Sequence, residues 1–363
     1  MRTRPLPLLL PLLVSLSSLA ACGELGEQRP MVEQTRVRAD STFTSLGEAF
    51  PGYLSSAEDL AFDGQGRLHV LDRMESRVVV FDPDLRPLRV IGGKGEGPGE
   101  MRTPSMGAQT NSVAAGGGLV VVVDGRRRIH VFGSDGGFRT RFESPRSVTD
   151  VAITPEGRIL CAQTGGDQTL IEYSASGDSL RAYGTPTIPI DLSLGSGADR
   201  TLLGHLWTMN SHYLEVLSDG RVVTLNQMWP LLRTYRDGEL QRESRIDLEG
   251  ILPLLEDEGA RQVLESLIES MESLSPEEIT RRFETGRLKR AELPDMSPLW
   301  DIAARGEEIW LNFFYLTRLD EQGRIQRVLD AEDPGFACTV ALHGDRGASL
   351  NPGMAVLKTF RIP

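Results

Sequence analysis

The chain has 363 residues, of which 51 are acidic and 39 are lysine or arginine, and its formal net charge is −12. An acidic surface of this size repels phosphate groups, so the composition argues against DNA, RNA or anionic lipid headgroups as main partners.

The first 21 residues have the features of a targeting segment. Arg2 and Arg4 precede a leucine-rich run, Leu6–Leu16, which prolines interrupt and which is too short for a stable membrane-spanning helix. The segment ends in Leu19-Ala-Ala-Cys-Gly, which resembles the bacterial lipobox. The resemblance implies cleavage before Cys22 and acylation of its sulfur. The alternative is an ordinary cleaved signal peptide with a chance cysteine.

Residues 22–34 are polar and contain a proline, so we expect a short tether between Cys22 and the folded domain. Cleavage would remove Arg2 and Arg4 and change the formal charge from −12 to −14. Two or three acyl chains hold a protein at a bilayer without spanning it. The sequence therefore predicts a lipid-anchored protein of the bacterial cell envelope, on its periplasmic or cell-surface side.

The next stretch, Glu58–Gly99, predicts a sheet of four strands. Four aliphatic runs are separated by Gly, Pro and Asp, which favour turns. The first turn signal recurs at Gly66, Gly117-Gly118, Pro155–Gly157, Asp219-Gly220 and Arg305-Gly306. The second recurs at Asp82–Asp84, Asp135-Gly136, Ser176-Gly177, Asp237-Gly238 and Gln322-Gly323. Repeats of roughly 40–50 residues with two turns each are typical of propeller blades rather than of a sandwich.

The two ends of the folded domain complete this pattern. Thr35–Ala39 and Phe43–Leu46 look strand-like but precede the first blade, and the blade that ends in Met354–Ile362 is one strand short. Pairing the N-terminal strand with that blade would close the ring and remove both free edges. We therefore predict an all-β, six-bladed propeller over residues 35–363. Seven blades stay open as an alternative, because residues 181–210 are poorly patterned.

A carboxylate and a guanidinium recur at equivalent places in the first two blades. Asp72 ends the second strand of blade one and Arg77 begins the third, and Asp124 and Arg128 stand in the same places in blade two. Such a repeated pair is typical of a structural contact between strands or blades.

These two blades resemble the NHL-type repeat, in which an Asp, a short turn and an Arg precede an aliphatic strand. Ile91–Glu100, Leu293–Trp300 and the lipobox are similar to stretches of six-bladed propeller lipoproteins of bacteria, within the TolB-like propeller group. The resemblance implies the propeller fold. It implies no particular activity, because that group shares no single chemistry.

The glycine-rich segment Gly92–Gly99 suggests two interpretations. A phosphate-binding loop would need Ser or Thr after Lys94 and a helix beyond the loop, and neither is present. We therefore interpret the segment as a crossover between blades, where glycines adopt positive φ.

Residues 248–296 interrupt the repeat between blades four and five. An amphipathic helical stripe comprises Ala260, Val263, Leu264, Leu267, Ile268, Met271 and Leu274. Ser275-Pro-Glu-Glu278 supplies an N-cap, a first-turn proline and a capping-box glutamate for a second helix. The insertion either caps part of one propeller face or shapes a binding site over the central channel.

Propellers usually bind ligands at a mouth of the central channel, so its lining is the candidate site. Aligned on the first turn, Asp59, Asp150 and Asp301 begin the inner strands of blades one, three and five, and His212 lies beside the equivalent position in blade four. Blade two offers Asn111 or Ser112. Three carboxylates at one level suit Ca²⁺ or Mg²⁺. The alternative is that each Asp accepts hydrogen bonds from backbone N–H groups at a strand start.

Six-bladed relatives of this group include calcium-dependent lactonases and lyases with metal-bound histidines. Here the five histidines form no HxxxH pair, and no GxSxG motif occurs. We therefore predict a monomeric, non-catalytic binding or scaffold module without a cofactor, whose ligand is an envelope protein, peptide or glycan. The alternative is a metal-dependent hydrolase, lactonase or lyase that uses calcium at the channel mouth.

Two cysteines lie inside the predicted propeller. Cys161 falls in the second strand of blade three and Cys338 near the start of the last blade. Blades three apart lie across the ring, so we expect two buried thiols rather than a disulfide.

Overall fold

The computed structural model describes residues 32–43, 54, 56–102, 112–189, 200–293, 301–313, 315–331, 339–351 and 356–363. Val32–Pro363 form one compact unit, and its described part contains six β-sheets. The first strands of successive sheets contact one another, and the first strand of the last sheet contacts that of the first. The fold is therefore the predicted six-bladed β-propeller.

Each blade is an up-and-down sheet of short strands. In chain order the strands are β1 (Glu33–Val37), β2 (Ala39–Phe43), β3 (Ala57–Phe62), β4 (Leu68–Asp72), β5 (Arg77–Phe81), β6 (Pro87–Gly92), β7 (Val113–Gly116), β8 (Leu119–Asp124), β9 (Arg128–Gly133), β10 (Phe138–Glu143), β11 (Val148–Ile153), β12 (Ile159–Gln163), β13 (Leu170–Tyr173), β14 (Ser179–Tyr183), β15 (His212–Val216), β16 (Val222–Asn226), β17 (Leu231–Arg236), β18 (Glu239–Arg245), β19 (Asp301–Arg305), β20 (Glu308–Phe313), β21 (Tyr315–Leu319), β22 (Ile325–Ala331), β23 (Thr339–His343), β24 (Arg346–Asn351) and β25 (Val356–Arg361). Blades one to four are β3–β6, β7–β10, β11–β14 and β15–β18, blade five is β19–β22 with β1, and blade six is β23–β25 with β2.

An N-terminal strand closes the ring, as the sequence predicts, but this strand is Ala39–Phe43 rather than the predicted Thr35–Ala39. β2 pairs antiparallel with β25, with Ala39 opposite Phe360 and Phe43 opposite Leu357. β1 adds a fifth, parallel strand to the outer edge of blade five. The second predicted N-terminal strand, Phe43–Leu46, lies beyond the described residues except for Phe43.

The middle strands are buried on both faces because blades stack against each other. Every residue of β4, β8, β12 and β16 is buried. Their sequences are therefore nearly continuous apolar runs, whereas the outer strands β6 and β10 alternate between exposed and less exposed residues. Cys161, in β12, is a free and fully buried thiol, and Cys338 lies outside the described residues.

One turn shows how closely the blades approach. Gly117, in the first turn of blade two, has φ +53°, and a Cβ there would lie 2.8 Å from the Cα of Gly157 in the matching turn of blade three. Any larger residue at position 117 would separate the two blades.

The insertion after blade four contains the two predicted helices, α2 (Glu258–Ser273) and α3 (Pro276–Glu284), and short 3-10 turns at Leu248–Gly250, Leu252–Leu254 and Arg290–Glu292. Asp257 caps α2 through the Ala260 N–H, and Ser275 caps α3 through the Glu278 N–H. Within the part of the chain that the structure describes, no helix is long and apolar enough to cross a bilayer.

A helix, Arg200–Met209, lies in the segment that the sequence left unassigned between blades three and four. Leu202, Leu206 and Met209 form its buried side, but ten residues with a glycine inside give only a weak helical signal. We number it α1, since it precedes α2 in the chain. The described segment therefore contains a helix in place of the irregular strands on which a seven-bladed alternative depended.

Strands alternate in direction, so every connection from the outer strand of one blade to the inner strand of the next lies on the same face of the ring. We call this the crossover face. α1 lies in the crossover from blade three to blade four, and α2 and α3 lie in the next crossover.

Candidate functional site

The central channel is lined by the inner strand of every blade. These strands, β3, β7, β11, β15, β19 and β23, enclose a cavity of about 200 Å³. Asp59, Asp150 and Asp301 line this one cavity, each in its predicted blade. All three stand near the crossover face, where the inner strands begin.

Each of the three aspartates joins two blades through backbone hydrogen bonds. Leu60 N–H donates to Asp59 Oδ1 (2.8 Å), and Val113 N–H of blade two donates to Oδ2 (2.7 Å). Asp150 likewise accepts from Val151 N–H (2.8 Å) of its own blade and from Leu214 N–H (2.8 Å) of blade four. Asp301 accepts from Ile302 N–H (2.8 Å) of its own blade and from Val340 N–H (2.9 Å) of blade six. The carboxyls therefore clamp blade one to two, three to four and five to six.

Ser112, which blade two offers at the equivalent position, connects two of these carboxyls. Its hydroxyl donates to Asp150 Oδ1 (2.7 Å) and also lies within hydrogen-bonding reach of Asp59. Ser112 therefore lies between the carboxyls of Asp59 and Asp150.

A fourth channel carboxyl, Glu215, was missed by the sequence analysis. It stands two residues after Tyr213, at the register where the other five inner strands carry Ala61, Ala114, Ala152, Ala303 and Ala341. Its carboxyl accepts hydrogen bonds from Val216 N–H and from Ala304 N–H of blade five. Aligning all six inner strands residue by residue would have revealed it as the single exception to an alanine position.

The four carboxyls hold protons unusually tightly. Burial raises the pKa of Asp59 to about 7, with a further contribution from the charge of Asp150, and burial raises the pKa of Asp150 to about 6. Burial, followed by the charges of Asp150 and Asp59, raises the pKa of Glu215 to about 8. The pKa of Asp301 is also raised well above its ordinary value, chiefly by burial. The channel can therefore take up and release protons near neutral pH.

Within the described residues, no group of three or more His, Cys, Asp or Glu side chains is placed to hold a metal ion. The channel carboxyls face backbone N–H groups at separate points round the ring. Each aspartate accepts a hydrogen bond from a backbone N–H of its own strand, as the alternative interpretation expected, and a second one from a backbone N–H of the next blade.

His212 is not brought into this cavity. Its ring is buried, and Nε2 lies 3.4 Å from Thr187 Oγ1. Burial, with the nearby Arg233 charge, lowers the pKa of His212 to about 3, so the ring is neutral. Tyr213, at the position equivalent to Asp59, packs against the large apolar cluster, so blade four contributes Glu215 to the channel lining rather than His212 or Tyr213.

The repeated Asp/Arg pairs lie outside the channel lining, at turns on the crossover face. Asp72 accepts from Ser56 N–H (3.1 Å), and Arg77 lies 3.3 Å away. Asp124 accepts from Arg102 N–H (3.1 Å), and Arg128 lies 3.7 Å away. Each aspartate thus ties the crossover that enters its blade to the blade itself.

The glycine-rich segment carries its own acceptor. Glu100 Oε2 accepts from Gly97 N–H (2.8 Å), and Glu96 pairs with Arg102 (2.6 Å). A carboxylate therefore occupies a backbone donor that a phosphate would need. Gly92 and Gly99, both with φ +77°, adopt the positive φ expected of a crossover.

The helical insertion is built into the propeller. Leu264 and Ile279 are fully buried in one cluster with α1 residues and with blade residues such as Trp229 and Phe313. Trp229 Nε1–H donates to Leu274 O (3.3 Å), and the Tyr315 hydroxyl donates to Leu254 O (3.0 Å). Of the predicted stripe, Val263 alone is strongly exposed (59%), because it lies about 100° round the helix from Leu264.

Comparison with protein-family models gives no match, and comparison with curated proteins gives no relative. Among solved structures, a streptogramin B lyase is 12% identical at a TM-score of 0.47, over 89% of this chain and 87% of its own. Virginiamycin B lyase from Staphylococcus aureus is 10% identical at a TM-score of 0.47, and the match covers 89% of this chain and 99% of that one. A gluconolactonase from Xanthomonas campestris is 13% identical at a TM-score of 0.48, and the match covers 85% of this chain and 86% of that one. TM-scores below 0.5 transfer no activity to this chain.

Cys22 and nearly all of Leu293–Trp300 lie outside the described residues.

Proposed function

We propose that this chain is a lipid-anchored binding protein of the bacterial cell envelope, which presents its crossover face to a protein, peptide or glycan without catalysing a reaction. The observation that carries the proposal is the packing of the helical insertion against that face, through a shared core and the hydrogen bonds of Trp229 and Tyr315. A surface that is fixed before binding loses little conformational entropy on association.

The lipobox-like sequence that ends at Cys22 supports the membrane anchor, and the resemblance of blades one and two to the NHL-type repeat supports a place among propeller lipoproteins. The anchor is tested by replacing Cys22 with Ser in the full chain. We expect the parent to incorporate labelled palmitate and to partition into detergent, and the Cys22→Ser variant to do neither. Equal labelling of both proteins would remove the anchor from the proposal.

Binding is tested with residues 23–363 against arrays of defined peptides and glycans. Val263→Asp changes an exposed residue of α2, and Leu240→Asp changes one of similar exposure (48%) in the outer strand β18. We expect at least one peptide or glycan to bind the parent. Val263→Asp and other changes on the crossover face should weaken that binding, and Leu240→Asp should leave it unchanged. Binding that no crossover-face change affects would overturn the proposal.

The raised pKa values in the channel favour one second candidate, a hydrolase, lactonase or lyase whose site is the channel mouth. A carboxyl that titrates near neutral pH is suited to proton transfer. A screen of ester, lactone and glycoside substrates, with and without calcium, tests this candidate. Turnover that is lost in Glu215→Gln would establish it in place of the binding role.

A further inference from the structure

A strip of exposed side chains crosses the crossover face at blades two and three, beside the helical insertion. It consists of Arg127 in the β8–β9 turn, Arg146 between β10 and β11, and Trp207 on α1. Arg146 and Trp207 meet at Gly165 in the β12–β13 turn, and Arg127 contacts Ser144, two residues before Arg146. We call it the arginine–tryptophan strip. Neither the fold nor the channel accounts for its composition.

The indole of Trp207 lies flat on the glycine turn. A Cβ on Gly165 would lie 3.6 Å from both Cδ2 and Cε2, the two carbons shared by the indole rings. Approach to that shared bond shows that a face of the ring, rather than its edge, covers the glycine. Trp207 nevertheless remains 41% exposed, whereas Trp229 and Trp310 are buried. A large apolar ring held in one orientation at the surface is a typical binding element.

The two arginines form no ion pair with any residue that the structure describes. Arg127 Nε–H donates to Ser144 O (2.9 Å), and Arg146 donates to Gly165 O. Within the described part of the chain, neither guanidinium has a carboxylate within 4.0 Å. Elsewhere, arginines such as Arg158, Arg221 and Arg233 pair with carboxylates at 2.6 Å. The backbone contacts fix these guanidinium groups in place, and their other N–H groups can meet an anion.

We infer that the arginine–tryptophan strip binds an acidic glycan, whose sugar ring stacks on Trp207 while its carboxylates meet Arg127 and Arg146. The C–H face of a pyranose is flat and apolar, so it suits an indole, and a uronate carries its carboxylate at the edge of the same ring. A nucleic acid also offers stacking and negative charge; we argue the glycan because the proposed function already includes a glycan ligand, and preference for a nucleic acid is an outcome of the test below. This inference rests on the proposed function, because it names the ligand class of the same face.

The test uses titration calorimetry and tryptophan fluorescence on residues 23–363 with an oligogalacturonate. Dextran, a single-stranded oligonucleotide and a poly-glutamate peptide are the comparison probes. We expect the oligogalacturonate alone to bind, with affinity that falls as salt increases. Trp207→Ala and Arg146→Gln should each weaken binding by about tenfold, since aromatic and arginine anchors dominate such sites.

Matched controls are Leu180→Ala, which removes another exposed apolar side chain (52%), and Arg86→Gln, which removes an exposed arginine on the opposite face. Both should bind as the parent does. Oligogalacturonate binding that is equal in all five proteins would overturn the inference, as would preference for the oligonucleotide or the peptide. If uronate fails but a peptide binds and Val263→Asp weakens it, this inference falls and the proposed function stands.

Discussion

Four carboxyl groups share one narrow channel, and each accepts hydrogen bonds from backbone N–H groups of two neighbouring blades. Asp59, Asp150 and Asp301 do so at one level, and Glu215 does so one register deeper. Such bonds favour an ionised carboxylate, but burial and mutual repulsion oppose ionisation more strongly. The carboxyls therefore act as clamps whose protonation depends on pH.

We expect the free energy of unfolding to fall as the pH rises through neutrality. Folding raises the pKa of Asp59 from 3.8 to about 7 and that of Glu215 from 4.5 to about 8. The folded protein thus binds more protons than the unfolded chain between these values. The resulting stabilisation is complete below the unfolded-state values and is lost as the pH passes the folded-state values. Thermal unfolding between pH 4.5 and 8.5 measures this slope.

Glu215→Gln isolates one contribution to that slope. The amide keeps one acceptor oxygen but cannot ionise, so the melting temperature of the variant should depend less on pH than that of the parent, whatever its absolute value. Glu156→Gln, which changes an exposed carboxyl in a turn of blade three, is the control. An unaltered slope in Glu215→Gln would show that this carboxyl does not titrate in the channel.

Calcium should leave the melting temperature unchanged, because the described carboxyls include no group of three placed to hold a metal ion. The comparison is between parent and an Asp59→Asn, Asp150→Asn, Asp301→Asn triple variant, each with calcium and with chelator. A calcium-dependent rise in the parent that is absent in the triple variant would place a cation in the channel.

At the scale of elements, the helical insertion is part of the propeller core rather than an attachment to it. Leu264 is fully buried, whereas its neighbour Val263 faces solvent. Leu264→Ala should therefore lower the free energy of unfolding by about 2–5 kcal/mol, since it leaves a cavity. Val263→Ala should change it by less than about 0.5 kcal/mol. Urea unfolding measures both, and equal effects would mean that α2 is not packed as described.

The elements with a complete local signal could be predicted from sequence. Blades one and two have apolar runs and turn residues in phase, and α2 and α3 have both an apolar stripe and an N-cap. α1 has a stripe of only ten residues with Gly204 inside it, so the signal was too weak to separate it from irregular strands.

The candidate site was only partly predictable, because it is assembled across blades. Asp59, Asp150 and Asp301 were found since each precedes a similar aliphatic run. The hydrogen bonds to the following blade could not be found, because they join residues 38 to 64 positions apart. Proximity in sequence also suggested His212, but its ring is buried beside Thr187 and does not line the channel.

At the scale of the whole molecule, the ring depends on strands from opposite ends of the chain. β2 supplies the outer strand of blade six and β1 extends blade five. Arg327 Nη2–H also donates to Thr35 Oγ1 (3.3 Å), and Arg327 Nη1–H donates to Pro363 O (2.9 Å). In the closed ring β25 is paired on both sides. Loss of β2 would leave the backbone N–H and C=O groups along one edge of β25 unpaired.

Two truncations test this closure directly. A chain that begins at Val32 retains the whole compact unit, and we expect it to unfold at the same temperature as residues 23–363. A chain that begins at Thr44 lacks β1 and β2, so blade six loses its outer strand and blade five its extra edge strand. We expect it to melt at a lower temperature and to self-associate through the exposed strand edge, as measured by calorimetry and light scattering. If the shorter chain remained monomeric with an unchanged melting temperature, the pairing of β2 with β25 would not be what holds the ring closed.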